Sequence, residues 1–569
     1  MKRKIIIISA LVAMAMLLAA LAGCRSESET PAVLPQEDAQ TPATTPATPA
    51  DTPADPVETT PDYWLPGFNP TGFPIMDELT TITVMGNMQL FQGNYEDLEM
   101  MQMLEEITNI RLEPLRLEGE QIDVFLAAGE ITDFIYSGLW GSDIRRFQQF
   151  GAAGMFADWT PLLGYMPHLS EIFDETPFMR TLVTELNGHI YALPMKNRAS
   201  TSVETRLKVR TDYLEMLGLD MPNTVDEFEH VLRMAMEYDL TSGHAPLIAF
   251  DFGAFNSRME PFFFAAFGPS VDPGWTADAN GAVSFNRVSE QYREFLRFFH
   301  RLHSDGLFEN EYLTMDRQTA NARDRAGFSM FNTEFTTIVP EDFPGGEMAL
   351  TQVPPLTSQW NDVRHTRAGN IYRIGGGAIN TNADPGLMPV MARFFDLWFS
   401  REDIAGDSGI EAGSFIYGLR GRDWDVIGDE LILNIPEGIS LSHGNFVNTY
   451  VKLNHAFGYW NDLAMGGTPN ALARQIGYVT NNIPYQVPFF PIVEMKYTAE
   501  EMDIINMFGV DVDLFAREAR ARFIAGVDCI ENDWDRYVAT IQGMGLAQLQ
   551  EVYQTAFDRW TAILAAAGR

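Results

Sequence analysis

The stretch Thr80–Met85, with the sequence TTITVM, decides the fold class of this 569-residue chain. Its β-branched side chains and the polar residues on either side are typical of a buried strand. Apolar residues recur at helical spacing through Tyr95–Thr108, and Ile110–Leu115 then forms a second apolar strand. Asp133–Tyr136 continues the alternation with a third strand. This order of elements predicts an α/β fold with a largely parallel sheet.

The residues at and after the end of the third strand are candidates for the ligand site. Ligands of parallel α/β sheets bind beyond the carboxyl ends of the strands. Tyr136, Trp140 and Ser142 stand at or just after that end. We therefore expect Trp140 to contact the ligand.

A further strand is predicted at Ile190–Pro194, and a polar segment follows it. Asn197 and Arg198 lie in this segment, where we expect a hinge and a cleft. Arg258, within the polar sequence FNSR, is a further candidate for ligand contact. The alternative for Arg258 is an exposed structural arginine.

Helices dominate the rest of the chain. Thr224 and Glu227 form a capping box in front of an apolar stripe. Ser289–Asp305 has a second stripe, which ends at a glycine, and Arg393–Phe399 is predicted to be helical. The chain closes with two helices, Asp533–Gln542 and Gly545–Ala566.

Several tryptophans stand in polar, turn-rich contexts instead of apolar stripes. Aromatic rings stack on the apolar faces of sugars, while planar polar groups bind the hydroxyls. These tryptophans are Trp140, Trp275, Trp360 and Trp460. Trp-Asn-Asp occurs twice, at 360–362 and 460–462, which suits stacking beside an amide and a carboxylate. The alternative is chance recurrence with structural roles.

The amino terminus has the layout of a secretory signal peptide. Lys2–Lys4 is basic, Ile5–Ala20 is apolar, and Leu21-Ala22-Gly23-Cys24 follows. This last sequence resembles the lipobox of bacterial lipoproteins, which implies cleavage before Cys24 and attachment of a lipid to that residue. The alternatives are an ordinary signal peptide and an uncleaved transmembrane anchor. Each of these places the remaining chain outside the cytoplasm, at the cell membrane.

Residues 24–63 are rich in Pro, Thr and Ala, and their composition predicts a disordered linker. The formal net charge of the whole chain is -38, and removal of residues 1–23 with their three positive charges would change it to -41. Such a surface repels nucleic acid and anionic lipid. Neutral or cationic ligands are more compatible with this surface, unless a local basic pocket outweighs its negative electrostatic potential.

Motifs for known cofactors and catalytic sites are missing from the sequence. It contains no C-x-x-C, H-E-x-x-H, G-x-S-x-G or Walker A pattern, so we expect no metal, no cofactor and no catalytic residue. His300 and His303 suit a metal pair by spacing, and the alternative is a solvated helix face. Cys24 and Cys529 are the two cysteines. With Cys24 lipidated, Cys529 is predicted to be a small buried hydrophobic residue.

Several stretches together resemble one protein family. They are Ala157–Leu163 (ADWTPLL), Asn187–Pro194 (NGHIYALP), Val209–Leu214 (VRTDYL), Asp305–Leu307 with Glu311-Tyr312, Phe523–Gly526, Asp533–Asp535 and Tyr553–Arg559 (YQTAFDR). The chain resembles family 1 of the extracellular solute-binding proteins, the ligand-capturing lipoproteins of ABC importers, and within it the LipO-like, oligosaccharide-associated branch. The resemblance spans roughly residues 80 to 565.

This resemblance implies a two-lobed, periplasmic-binding-protein-like α/β fold with a hinge between the lobes and extra C-terminal helices. We place lobe 1 at 78–198 plus about 325–390, and lobe 2 at 199–324 plus about 391–569. The implied function is capture of a carbohydrate, expected to be a neutral oligosaccharide, by hinge closure, and its delivery to the permease subunits of an ABC transporter. We expect a monomer that does not bind nucleic acid.

Two alternatives use the same fold: a surface enzyme that degrades glycans, and a ligand sensor or adhesin. Some relatives with polysaccharide ligands carry a calcium loop after the helix that begins near Thr224. Here that position reads Glu237–His244, in which we expect only Asp239 and neighbouring hydroxyls to serve as oxygen ligands. We therefore expect no calcium site.

Overall fold

A computed structural model describes residues 64–87, 97–117, 121–137, 145–196, 207–248, 259–316, 326–332, 350–368, 372–401, 413–427, 430–434, 457–459, 482–487 and 490–567, with a few short pieces between 319 and 323, between 403 and 411, and at 450–451. Thr60–Arg569 forms one compact unit.

The strands are numbered in chain order. They are β1 (Thr80–Asn87), β2 (Ile110–Leu117), β3 (Phe134–Ser137), β4 (Pro194–Lys196), β5 (Lys208–Arg210), β6 (Leu247–Ile248), β7 (Trp275–Ala277), β8 (Val283–Phe285), β9 (Phe331–Asn332), β10 (Leu350–Gln352), β11 (Thr366–Arg367), β12 (Tyr372–Ile374), β13 (Ala378–Ile379), β14 (Trp424–Ile427), β15 (Glu430–Leu433), β16 (Gly458–Tyr459) and β17 (Gln486–Val487).

The α-helices are numbered in the same way. They are α1 (Glu99–Thr108), α2 (Gln121–Ala128), α3 (Arg145–Ala152), α4 (Pro167–Glu175), α5 (Pro177–Val183), α6 (Thr211–Leu217), α7 (Val225–Glu237), α8 (Glu260–Phe264), α9 (Glu290–Ser304), α10 (Leu387–Asp396), α11 (Ser414–Tyr417), α12 (Ala499–Ile524), α13 (Ile530–Ile541) and α14 (Ala547–Ala566).

The first sheet is built around β1, the strand predicted from TTITVM. Its order is β13-β3-β1-β2, with β1 parallel to both β2 and β3 and with β13 antiparallel to β3. Ile82 and Val84 lie on one face of β1 and Met85 lies on the other, and all three are fully buried. The predicted α/β class with a largely parallel sheet is confirmed here.

The second sheet is mixed and has the order β10-β5-β9-β6. Its strands β9 and β10 both pair with β5 of the predicted lobe 2. In the other direction, Phe395 of α10 stacks on Phe134 of β3, with ring centroids 3.8 Å apart. The predicted lobe boundaries stay a prediction. These contacts favour assigning β9 and β10 to lobe 2, and extending lobe 1 from about residue 390 to include Phe395.

The predicted helix starts follow local capping chemistry. The Thr224 hydroxyl accepts a hydrogen bond from the Glu227 N–H at 3.1 Å, and the Glu227 carboxylate accepts one from the Thr224 N–H at 3.2 Å, so the predicted capping box is confirmed. Helix α9 follows Ser289, whose hydroxyl accepts from the Tyr292 N–H at 3.1 Å. It ends before Gly306, whose positive φ of 71° suits glycine.

A buried ionic cluster joins α8, α9 and α12. Glu260 is fully buried, and its carboxylate accepts hydrogen bonds from Arg520 at 2.5 Å, Arg287 at 3.1 Å and the Tyr292 hydroxyl at 2.6 Å. Burial opposes ionisation, but the charges of Arg287 and Arg520 outweigh it and hold the pKa of Glu260 below its ordinary value. We call Glu260, Arg287, Tyr292 and Arg520 the ionic cluster.

Helix α14 holds the β7–β8 hairpin through its backbone. The Gln554 side chain accepts from the Val283 N–H at 2.8 Å and donates to the Gly281 carbonyl at 2.9 Å. Gln550 donates to the Val283 carbonyl at 2.8 Å. These two amides take the place of a neighbouring strand, so the YQTAFDR motif has a structural role in this chain.

Two predictions about local structure are wrong. Cys529 is exposed, not buried, because it stands at the N-cap of α13, where its N–H donates to the Asp533 carboxylate at 2.8 Å. The strand predicted at Ile190–Pro194 lies further along the chain, at Pro194–Lys196. Proline cannot donate a ladder hydrogen bond and so stands at the first position of this strand.

Candidate functional site

The third sheet brings three distant parts of the chain to one edge. Its centre is β4, with β12 antiparallel on one side and β16 parallel on the other. Lys196, the last residue of β4, pairs with both Tyr372 and Tyr459. The carboxyl ends of β4 and β16 therefore lie side by side, and this is the kind of edge at which α/β folds bind ligands.

Side chains of described residues at this edge offer both charge and aromatic surface. Lys196 is buried, with 4% of its surface exposed. Tyr372 is partly buried and lies edge-on to Phe178, with ring centroids 5.9 Å apart. A buried ammonium group keeps its charge only with polar partners, so Lys196 gives this edge a polar character.

The segment before β4 is clamped by the motifs that carried the family resemblance. The Asp158 carboxylate accepts from the N–H groups of Thr160 and Ile190, each at 2.9 Å. Burial raises the pKa of Asp158, but these hydrogen bonds outweigh it and leave the pKa below its ordinary value. The Trp159 indole donates to the Gly377 carbonyl at 3.1 Å. ADWTPLL and NGHIYALP thus fix the approach to β4.

Two more pairs of parallel strands place their carboxyl ends side by side. In the first sheet, β1 and β3 run side by side, with Met85 paired to Ile135. In the second sheet, β6 and β9 run side by side, with Ile248 paired to Asn332. Trp140 follows β3 in the chain, and Arg258 follows β6.

Most of the predicted ligand residues lie outside the described residues. They are Trp140, Asn197, Arg198, Arg258 and Trp460, and the lipidation site Cys24 lies outside as well. In the chain, Asn197 comes directly after β4 and Trp460 directly after β16. Their roles stay predictions.

Trp275 lines a cavity of about 550 Å³ that is separate from these strand ends. Its ring packs against Phe285 and Tyr553, with centroids 5.0 and 4.6 Å away. The cavity lies between the β7–β8 hairpin, β11, α12 and α14, and Phe490 contributes a further aromatic wall. The structure thus gives Trp275 both a packing role and a place at an open surface.

Charged side chains line the same cavity. Arg287, Arg367 and Arg517 contribute guanidinium groups, and Asp272 and Asp513 contribute carboxylates. Burial raises the pKa of Asp272, and the charge of Arg367 offsets this only in part. Sequence reasoning missed this cavity because its lining residues are spread from Pro261 to Tyr553. Among them, only Trp275 was a candidate ligand residue in the sequence, and Tyr553 was noted as part of the YQTAFDR motif.

The first Trp-Asn-Asp repeat is tied to the fold through its asparagine. The Asn361 amide donates to the carbonyls of Ala265 at 2.8 Å and Gly268 at 2.9 Å. This amide is therefore occupied, and the alternative of a structural role is favoured for Asn361. Trp360 itself is 47% exposed and leaves its ring open to solvent. Its contact with a ligand stays a prediction.

The segment compared with a calcium loop is closed by its own hydrogen bonds. Asp239 has a positive φ of 50°, and its carboxylate accepts from the Gly243 N–H at 2.7 Å. The histidine pair of α9 is partly engaged, since His300 Nδ1 lies 3.1 Å from the Ile524 carbonyl. Within the described ranges, no helix combines the length and the apolar composition needed to cross a membrane.

Comparison with known proteins gives relatives along nearly the whole chain. The fructooligosaccharide ABC transporter substrate-binding protein FusA of Streptococcus pneumoniae serotype 4 is 23% identical over 537 residues, which are 89% of this chain and 94% of FusA. Lipoprotein LipO of Bacillus subtilis is 25% identical over 203 residues, covering 35% of this chain and 38% of LipO. No family model matches the chain.

Solved structures agree with this result. An EF-hand mutant of S. pneumoniae FusA in complex with fructo-nystose matches with a TM-score of 0.69 and 20% identity, covering 85% of this chain and all of that chain. An HMO-binding, ABC-transporter-associated solute-binding protein of Bifidobacterium longum infantis matches with a TM-score of 0.69 and 17% identity, covering 84% of this chain and 99% of that protein. The predicted fold class and the resemblance to solute-binding proteins of ABC transporters are confirmed by these relatives.

Proposed function

We propose that this chain captures an oligosaccharide outside the cytoplasm and delivers it to an ABC permease. The observation that carries the proposal is the match to FusA over 94% of its length, because a relative that binds fructooligosaccharides aligns with almost the whole chain. A neutral oligosaccharide, a monomeric state and a lipid on Cys24 are parts of the proposal. The relative LipO, itself called a lipoprotein, supports the last of these.

The proposed ligand site lies at the shared edge of β4 and β16. Asn197 and Arg198 continue the chain from β4, and Trp460 continues it from β16, while Lys196 and Tyr459 pair directly. This register supports a site in which a planar amide, a guanidinium and an indole meet one sugar. Trp140, which follows β3, would extend the site to the first sheet.

The proposed mechanism is closure of two lobes on the ligand. A ligand that contacts both lobes favours the closed state by its differential affinity for that state. The third sheet supports this mechanism, because β4 connects β3 of the first sheet with β5 of the second in chain order. No bond in the ligand is broken in this mechanism, so the captured glycan is released intact to the permease.

A thermal-shift screen of the purified protein against neutral, acidic and amino oligosaccharides tests the proposal. A ligand that binds only the folded state stabilises it by about 2.7 kcal/mol at a hundredfold excess over its dissociation constant. We expect a concentration-dependent rise of the melting temperature with one class of glycan, which is then recovered intact. Cleavage of the glycan would support the enzyme alternative, and the absence of any shift would contradict carbohydrate capture.

Variants of the two Trp-Asn-Asp repeats locate the site. We expect Trp460→Ala to weaken binding of the glycan found in the screen by about tenfold or more, because a stacking face is lost. Trp360→Ala is the matched comparison, since its repeat has its asparagine engaged with backbone carbonyls. A full effect at Trp360 with none at Trp460 would move the site away from the edge of β4 and β16.

A further inference from the structure

Helix α12 exposes three large apolar side chains on the side that faces away from the protein. Met507, Val510 and Leu514 are 65%, 70% and 50% exposed. Their spacing of three and four residues places them on one face. Elsewhere around its circumference the helix packs against α9, α13 and α14. A helix that is apolar on all sides is normally buried on all sides, so this face has the character of a surface that a partner covers.

Acidic residues accompany these side chains on the same face. Asp503 lies one turn before Met507, Glu518 lies one turn after Leu514, and Asp511 lies between them, and all three acidic residues are exposed. Within the described ranges, no arginine or lysine forms an ion pair with any of them. We call these three acidic and three apolar residues the outer face of α12. It extends from residue 503 to residue 518, which is about 22 Å at about 1.5 Å per residue.

The charges of the outer face determine which partner fits it. A second copy of this chain in an antiparallel arrangement would align Met507 with Leu514, but it would also align Asp503 of each copy with Glu518 of the other. A parallel arrangement would align each acidic residue with itself. Like charges that face one another oppose association, so a second copy is disfavoured. A partner with Lys or Arg one turn beyond each end of an apolar face would pair with these carboxylates instead.

The cavity beside Trp275 opens next to the outer face. Val510 and Leu514 belong both to the outer face and to the cavity lining, and Phe490 and Tyr553 add aromatic surface to the lining. The cavity measures about 550 Å³, within the range of about 300–1,000 Å³ that is usual for ligand pockets. Protein interfaces derive most of their binding energy from a few side chains, often aromatic, that fill such pockets.

The arginines near α12 in this cavity are already paired within the protein. Arg287 donates to Asp513 at 2.6 Å and to the buried Glu260 at 3.1 Å. Arg517 lies 2.7 Å from the second carboxylate oxygen of Asp513. Because these guanidinium groups have carboxylate partners, the aromatic and aliphatic walls are the surface left for a partner. An apolar side chain suits such walls better than a charged group.

We propose that the outer face of α12 binds an amphipathic helix of another protein. This helix carries apolar residues along one face, Lys or Arg one turn beyond each end of that face, and one aromatic residue that enters the cavity beside Trp275. Amphipathic helices bind to apolar grooves in this way, through side chains spaced three, four and seven residues apart. The outer face belongs to α12 and not to the third sheet, so it is distinct from the proposed capture site. It does not rest on the proposed import function.

Fluorescence anisotropy of a labelled synthetic peptide tests the proposal. The peptide is titrated with the full mature chain, prepared without lipid on Cys24. It is a helix of about six turns with leucine along one face, a central tryptophan on that face and lysine one turn beyond each end of it. We expect saturable binding at one site. The same peptide with glutamate in place of lysine should bind at least tenfold more weakly, because its charges repel Asp503 and Glu518.

Variants of exposed residues locate the binding surface. Val510→Asp should weaken binding of the lysine peptide at least tenfold, because it places a charge in the centre of the apolar face. Val124→Asp is the matched control, since Val124 is 66% exposed on α2 and does not line the cavity, and it should leave binding unchanged. Asp503→Asn combined with Glu518→Gln should weaken binding about threefold or more. All these side chains are exposed, so the melting temperature should stay unchanged and confirm that each variant is folded.

Other occupants of the outer face give different results. Sedimentation velocity detects a second copy, and co-sedimentation with phosphatidylcholine vesicles detects binding to a lipid surface. A dimer or a vesicle complex that Val510→Asp abolishes would overturn the proposed partner. Equal affinity for the lysine and glutamate peptides would overturn the role of the acidic residues. No binding of the lysine peptide, or binding that survives Val510→Asp, would overturn the site itself.

Discussion

The ionic cluster around Glu260 should make the substitution Glu260→Gln strongly destabilising. The side chains of Glu260 and Arg520 are 0% exposed, and that of Arg287 is 6% exposed. The substitution removes the negative charge and leaves two guanidinium groups in the interior. Removal of one partner from a buried ion pair costs about 3–5 kcal/mol of unfolding free energy.

A surface glutamate provides the matched comparison. Glu531 also bridges two arginines, with distances of 2.7 Å to Arg297 and 3.2 Å to Arg293, but its side chain is 60% exposed. Water and salt screen such a pair, so Glu531→Gln should change stability little. The two substitutions have the same chemistry and the same number of arginine partners, and they differ in burial.

The assay is urea unfolding followed by tryptophan fluorescence, with the midpoint and slope fitted for each variant. We expect Glu260→Gln to lower the unfolding free energy by about 4 kcal/mol relative to Glu531→Gln. The double variant Glu260→Met with Arg520→Met should recover much of this loss, because it removes the two fully buried charges together and leaves Arg287 paired with Asp513. Equal unfolding free energies for the two single variants would refute the argument that burial decides the cost.

Three further predictions concern single side chains. Burial raises the pKa of Asp396 from 3.8 to about 7, so the folded state keeps a proton that the unfolded state loses. The unfolding free energy should therefore fall as the pH rises from about 4 through about 7. Asp396→Asn should flatten this slope in a plot of melting temperature against pH. Gln554→Ala removes two hydrogen bonds to the β7–β8 hairpin and should lower the unfolding free energy by about 2 kcal/mol. Gln550→Ala removes one and should lower it by about 1 kcal/mol. Equal losses of unfolding free energy in urea would contradict this account. Gly509 lies in the interior of α12 and lines the cavity beside Trp275. Gly509→Ala should raise the unfolding free energy by about 0.5–1 kcal/mol. An unfolding free energy below that of the unchanged protein would show that the wall of this cavity tolerates no methyl group.

The elements with a single apolar face were predictable from the sequence. Ser289–Asp305 and the strand Thr80–Met85 have one dominant period, and the structure has a helix and a strand there. Helix α12, 26 residues long, was not foreseen. Its Met507, Val510 and Leu514 are at least 50% exposed, so apolar residues surround the helix and no stripe stands out.

The candidate site was predictable only as a set of residues. The predicted strand before the polar segment selected Asn197 and Arg198, and the polar, turn-rich context selected Trp460. The pairing of β4 with β16 could not be foreseen, because it joins residues more than 260 positions apart and no local spacing encodes it. The same holds for the cavity beside Trp275, where Arg287 and Arg517 both contact Asp513. Asp513 belongs to α12, a helix that the pattern did not reveal.

The third sheet also determines when this protein can fold. Strand β4 has neighbours at Tyr372–Ile374 and Gly458–Tyr459, so its ladder is complete only after residue 459 has become available. Contacts between such distant positions carry a large entropy of loop closure and slow folding. Until residue 459 becomes available, the part of the chain that precedes β16 would have one edge of β4 unpaired. A chain that stopped short of β16 would present that edge to other chains and should aggregate.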